Sequence, residues 1–144
     1  MEEAKSAALR VILSKRRTEK EVAEALIKKG FSTEDANAAA SYYRENGFID
    51  HVDYARRFAH DAANIKGFGP ERIRRTLITR GIEEELIDAA LSEIEFDIET
   101  PMEARFGKGA RPPKELSRIF QHFYRKGFAS HAIQKAMDAL YTYE

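Results

Sequence analysis

The stretch TLITRGIEEELIDAAL, residues 76 to 91, decides the fold, because the chain carries it in variation twice more. ALIKKGFSTEDANAAA covers residues 25 to 40 and HFYRKGFASHAIQKAM covers residues 122 to 137. In each, a base precedes a glycine, an apolar residue follows it, and another apolar residue stands six positions beyond: Ala36, Ile87 and Ile133. Gly30, Gly81 and Gly127 lie 51 and 46 residues apart, so each unit holds a leading helix plus a helix–glycine–helix pair. Units this short cannot each bury a full core, so neighbours are expected to stack into an elongated or curved array. The expected repeats are residues 1–47, 48–95 and 96–144, the last with a shortened first helix.

The start and stop signals agree with that reading. Thr18 stands three before Glu21, Ser32 three before Asp35 and Asp50 three before Asp53, so each short oxygen-bearing side chain can accept from an orphan N–H with an acid in the first turn. Pro70 and Pro101 suit first-turn positions, and Gly30, Gly47, Gly81 and Gly127 suit left-handed C-caps. The implied helices run near 2–16, 19–29, 33–46, 51–65, 70–80, 83–94, 101–106, 113–126 and 130–141. No alternating strand pattern competes, and the fold class is all-α. TPMEARFGKGARPP, residues 100 to 113, weakens helix and reads as either a flexible joint or an ordered turn.

Composition bounds the function. In 144 residues, 24 Lys and Arg balance 24 Asp and Glu, which argues against a simple polycation that coats DNA. No apolar run reaches the ~18 residues of a membrane span, and the N-terminus lacks a signal-peptide core. Cysteine is absent, which excludes disulfides and thiolate metal sites and fits a reducing compartment, so the cytoplasm is the expected location. The charge is nevertheless polarised. Residues 66 to 81 carry Lys66, Arg72, Arg74, Arg75 and Arg80 against Glu71, whereas residues 83 to 99 hold eight acids and no base.

Projected at ~100° per residue, helix 70–80 turns Ile73 and Leu77 to the core and Arg72 and Arg75 to water or a partner. Arg80 suits the negative end of the helix dipole. In the preceding helix Tyr54, Phe58, Ala62 and Ile65 form the apolar stripe, with Arg56, Arg57 and His60 on its flanks. Arg56, Arg57, Lys66, Arg72 and Arg75 are thus candidates to converge on one face; the alternative is a solvated face balanced by the acids at 83–99. No catalytic constellation emerges. Of the four histidines none pairs at i, i+4, and GFGPER lacks the Gly-Lys-Ser/Thr of a phosphate loop. Asp50, His51 and Asp53 read as capping and first-turn electrostatics, or as a weak metal set. Acid pairs such as Glu83–Glu84 read as polar surface. Phe120, Phe123, Tyr124 and Phe128 recur at helical spacing and read as core rather than as stacking platforms.

GFIDHVDYARRFAHDAANIKGFGPERIRRTLITRGI, residues 47 to 82, resembles the RecX family of recombination regulators. The likeness rests on the Gly47-Phe48-Ile49-Asp50 opening, the Tyr54-Ala55 pair, the Gly67-Phe68-Gly69 linker and the Gly81-Ile82 end of a basic helix. ALRVILSKRRTEKEVAEALIKKGF, residues 8 to 31, is similar to the family's first unit, and His51 stands where the family carries a second acid. The resemblance implies a monomeric, non-enzymatic regulator without a cofactor. It would bind the RecA–DNA filament and inhibit recombinase, ATPase and co-protease activities, in homologous recombination, DNA repair and the SOS response. Its expected partners are the RecA filament and single- or double-stranded DNA, weakly or within that filament, with no membrane. Arg56, Arg57, Lys66, Arg72 and Arg75 are the expected contacts, with Arg16 and Arg17 as a secondary basic site. The alternatives are a helical DNA-binding protein acting without RecA and a helical-repeat adaptor for an unrelated protein.

Overall fold

A computed structural model describes residues 1–144. Nine helices follow one another: α1 (Glu2–Ser14), α2 (Glu19–Lys28), α3 (Thr33–Glu45), α4 (His51–Asn64), α5 (Pro70–Thr79), α6 (Glu84–Ser92), α7 (Glu99–Phe106), α8 (Pro113–Lys126) and α9 (Ser130–Leu140). Two short strands, β1 (Gly109–Arg111) and β2 (Tyr141–Tyr143), flank α8 and α9. The helices form three triplets, each with its glycine between the second and third members. Contacts divide the chain into two compact units, Met1–Phe58 with Thr76–Leu91 and Ala59–Arg75 with Ser92–Glu144, and the seams fall inside α4 and α5.

In the first unit α1 buries Ala4, Ala7, Ala8 and Val11, and α3 buries Ala36, Ala39, Ala40 and Tyr43. Both follow i, i+3, i+4, i+7 spacing, which lines one face of a helix. The small alanines bring these helices close around Val22, Ala23 and Leu26 of α2. Tyr43 donates its buried hydroxyl to the Lys5 carbonyl at 2.9 Å. Thr18 and Glu21 form the expected capping box, and the Oγ atom of Ser32 accepts from the Asp35 N–H. Asp50 caps α4 through the Asp53 N–H in the same way.

Thr18 does more than cap. It is fully buried, and its hydroxyl donates to the Arg80 carbonyl at 2.6 Å, at the C-terminal end of α5. Lys20 Nζ reaches the neighbouring Thr79 carbonyl at 2.9 Å. The orphan carbonyls that end one helix are thus satisfied by the start of another. Thr18→Ala removes the cap and strands the Arg80 carbonyl, so it should cost about 2 kcal/mol of stability. Urea denaturation followed by circular dichroism measures this, with Thr18→Ser, which keeps the hydroxyl, expected to avoid most of the loss.

The second unit repeats that joint with other atoms. The Gly69 N–H donates to the Lys126 carbonyl at 2.8 Å and the Glu71 N–H to the Gly127 carbonyl at 2.9 Å, so the start of α5 satisfies the end of α8. The backbones close to near contact: a Cβ on Gly69 would lie 2.6 Å from the Gly127 carbonyl oxygen. Around this joint Ile119, Phe123, Phe128, Ile133 and Met137 form the core with Met102 and Ile98.

Three expectations change. Ile65 is 77 % exposed rather than part of the α4 stripe, because α4 ends at Asn64 and the chain turns away before Ile65 can face the core. Tyr124 is 53 % exposed and stacks on Phe120 instead of entering the core. Residues 100 to 113 form an ordered turn: β1 pairs in parallel with β2, Tyr141 donates its hydroxyl to the Gly107 carbonyl at 2.8 Å, and Arg111 Nη2 binds the Phe106 carbonyl at 3.0 Å.

Candidate protein and nucleic-acid interface

Helix α4 places Asp53 and Arg57 one turn apart, and the α1–α2 connection brings Arg16 to the same carboxylate. Arg57 Nε donates to Asp53 Oδ1 at 2.9 Å and Arg16 Nε to Oδ2 at 3.1 Å. Hydrogen bonds from Arg57, reinforced by the charges of Arg57 and Arg16, hold the Asp53 carboxyl below its ordinary range. Two cations share one anion, so the cluster keeps a net positive charge. Both guanidinium groups stay more than half exposed and engage Asp53 through Nε, leaving their terminal amino groups toward solvent. Arg17 lies beside them, half-buried, with its Nε enclosed and without a hydrogen-bond partner. Arg56 is exposed on the same helix. The first unit therefore brings Arg16, Arg17 and Arg57 together around the start of α4.

The second unit gathers the other candidates around one ring. Arg72 lays its guanidinium 3.7 Å over the Phe68 centroid, while Lys126 Nζ and Lys66 Nζ stand 5.5 and 5.9 Å from it. Cations attract the negative face of an aromatic ring, so Phe68 serves as a hub for three charges. Arg72 Nη1 also donates to the Arg125 carbonyl at 3.3 Å. The expected outer strip of Arg72 and Arg75 is accordingly divided. Arg75 is exposed, whereas Arg72 is half-buried and packs against groups that a projection of its own helix does not include. Arg125 and Lys126, absent from the expected set, join this basic surface, and their signal is the pair of bases just before the third repeat glycine.

Sequence reading also missed a polar network in the first unit. His51 is 3 % exposed, its Nε2 accepts from the Glu19 N–H at 3.0 Å, and its Nδ1 meets Glu83 Oε1 at 2.8 Å. Because Nε2 accepts, Nδ1 carries the proton and donates to the carboxylate. Arg44 bridges the cluster, with Nη2 at 2.6 Å from Glu83 and Nη1 at 3.0 Å from Glu19. Burial pushes the Glu83 carboxyl up, but hydrogen bonds from His51 and Arg44 outweigh it and hold the group below its ordinary range. Glu83 is therefore the half-buried partner of His51 and Arg44 and not part of a solvated acid pair. Both ring nitrogens of His51 are occupied, which replaces the metal and simple capping readings of that residue. No three His, Asp or Glu side chains converge as a metal-binding group.

Arg80, expected to serve the helix dipole, instead donates Nη1 to the Tyr54 hydroxyl at 2.7 Å and lies 4.6 Å from the Phe58 centroid. No helix is long and apolar enough to cross a membrane.

Comparison with known proteins places this architecture. Residues 4–42 match the model for the first three-helix domain of RecX, and residues 50–91 match that for its second three-helix domain. Regulatory protein RecX of Caldanaerobacter subterraneus subsp. tengcongensis is 30 % identical over 139 residues, covering 94 % of this chain and 70 % of the relative. The same-named protein of Pectobacterium atrosepticum is 35 % identical over 122 residues, covering 81 % of this chain and 74 % of the relative. The crystal structure of RecX from Lactobacillus salivarius superposes with a TM-score of 0.78 at 20 % identity, covering 96 % of this chain and 95 % of that one, a likeness of fold. On the sequence matches that span both of its first two helix triplets, the chain belongs to the RecX family of regulatory proteins.

Proposed function

We propose that this chain is a non-enzymatic regulator that binds the RecA–DNA filament as a monomer and inhibits its recombinase, ATPase and co-protease activities. The observation that carries the reading is family membership, at 30 % identity across 94 % of the chain. The surface chemistry supports it. Clustered guanidinium and ammonium groups complement acidic protein surface and phosphate alike. In this reading Arg56, Arg57, Lys66, Arg72 and Arg75 make the principal contacts, and Arg16 and Arg17 form a second basic site. Arg72 contributes partly by holding Phe68, so the cleaner probes are the exposed Lys66 and Arg75.

The test is the double charge reversal Lys66→Glu with Arg75→Glu, assayed on RecA ATPase over single-stranded DNA. Half-inhibition should require about tenfold more of the variant, the scale of a lost set of charge contacts, with circular dichroism unchanged. Undiminished inhibition would overturn the assignment of these residues. Fluorescence anisotropy separates the modes of action: the filament reading expects weak binding to bare DNA and strong binding once RecA and an ATP analogue are added. Equal, steeply salt-dependent binding with and without RecA would instead establish an independent DNA-binding protein.

A further inference from the structure

The second unit contains a surface cleft of about 470 Å³ whose lining shares only Lys66 and Phe68 with the surface of the filament reading. Its apolar lining combines the half-buried rings of Phe68 and Phe96 with Ile65 and Ile94, over a floor of the core residues Phe123 and Phe128. Phe96 stands edge-on to Phe128 with centroids 6.3 Å apart, and Phe123 lies 6.2 Å from the same ring. Such a volume falls in the range of small-molecule sites and exceeds what one inserted side chain fills.

The lining also carries charges, and these are unevenly satisfied. Lys66, Arg105 and Lys126 all line the cleft. Lys126 Nζ donates only to the Lys66 carbonyl, at 3.2 Å, while Lys66 and Arg105 contact aromatic rings. None of the three forms an ion pair. Of the two acids on the lining, Asp97 is engaged by the Thr100 N–H at 3.2 Å, leaving Glu95 on the exposed rim. His122 completes the wall, edge-on to Phe106 at 5.4 Å. Burial, and then the charges of Arg105, Lys126 and Arg125, lower its pKa.

A half-buried aromatic ring, Phe96, beside three cations without anionic partners suits one kind of occupant. We infer that this cleft binds a nucleotide, its base against Phe96 and its phosphate toward Lys66, Arg105 and Lys126. His122 and Glu95, on the same lining, supply an imidazole and a carboxylate that can hydrogen-bond a base. A phosphate-bearing base has two sources, a free nucleotide and a nucleotide within a single strand, and the chemistry of recognition is shared.

The experiment is amide chemical-shift mapping of the full chain titrated with deoxyadenosine monophosphate, a short deoxythymidine oligomer, inorganic phosphate and an acidic peptide. The expected result is that the nucleotide and the oligomer move the amides of Lys66, Phe68, Phe96 and His122 together. Arg105→Glu, at an exposed position, should weaken both by at least about tenfold without altering the remaining spectrum. A tighter oligomer identifies the strand as the source, and equal affinities identify the free nucleotide. The inference is overturned if none of the probes shifts these amides. It is equally overturned if phosphate alone reproduces the nucleotide's shifts and affinity, or if only the peptide binds. RecA is absent throughout, so failure here is distinct from failure of the filament reading.

Discussion

Gly127→Ala should destabilise the protein by about 4 kcal/mol, the scale of a severe steric and backbone defect combined. Gly127 closes α8 with φ of 104°, a left-handed conformation that an L side chain adopts only at a cost. Space is the larger difficulty. The added Cβ would overlap the Cβ of Arg72 and lie 2.7 Å from its backbone nitrogen. Backbone cannot give way as a flexible side chain can, and the Gly127 carbonyl is fixed by the Glu71 N–H at 2.9 Å. Relief by separation would sacrifice that bond and its neighbour from Gly69 to Lys126. Urea denaturation should therefore show a large fall in midpoint. A Gly127→Ala protein within about 1 kcal/mol of the parent would mean the joint is far looser than its geometry.

Glu83→Ala should cost about 3 kcal/mol, because it leaves the buried His51 Nδ1–H without an acceptor and Arg44 with one partner instead of two. Glu83→Gln keeps an acceptor oxygen but no charge and should fall between the two. Acid supplies a second measurement. The folded Glu83 carboxyl sits below its unfolded value, so its stabilisation is present above the ordinary carboxylate range and is lost as pH falls through the folded value. Stability of the parent should therefore drop more steeply on acidification than that of Glu83→Gln. Identical acid profiles would show that this carboxylate is not held by His51 and Arg44.

The contrast between these two sites explains what could be read in the sequence. Caps were legible because their chemistry is local: Thr18 with Glu21, Ser32 with Asp35 and Asp50 with Asp53 each lie three residues apart. The repeat was legible because its markers are backbone requirements, and the apolar residue six beyond each glycine, Ala36, Ile87 or Ile133, is fully buried. His51 and Glu83 were not legible as partners. They are 32 residues apart, each is a normal surface residue type, and only the packed unit shows that they meet. The same limit applies to Arg72, since helical projection locates the core of its own helix but not the Phe68 ring or the Arg125 carbonyl. β1 and β2 escaped because three-residue strands carry too few positions to show alternation.

The two seams that Thr18 and Gly69 create have a direction. In both, the opening residue before a triplet's second helix grips the carbonyl just ahead of the glycine in the following triplet: Arg80 in one case, Lys126 in the other. Gly30, the matching glycine of the leading triplet, has nothing within 4 Å of where a side chain would begin. Each fastening thus works like a hook and its eye. The two fastenings are matched pairs rather than interchangeable parts: one needs the Thr18 hydroxyl and the other a residue without a Cβ at position 69. Excising a triplet between equivalent points would therefore join a hook to an eye that it does not fit.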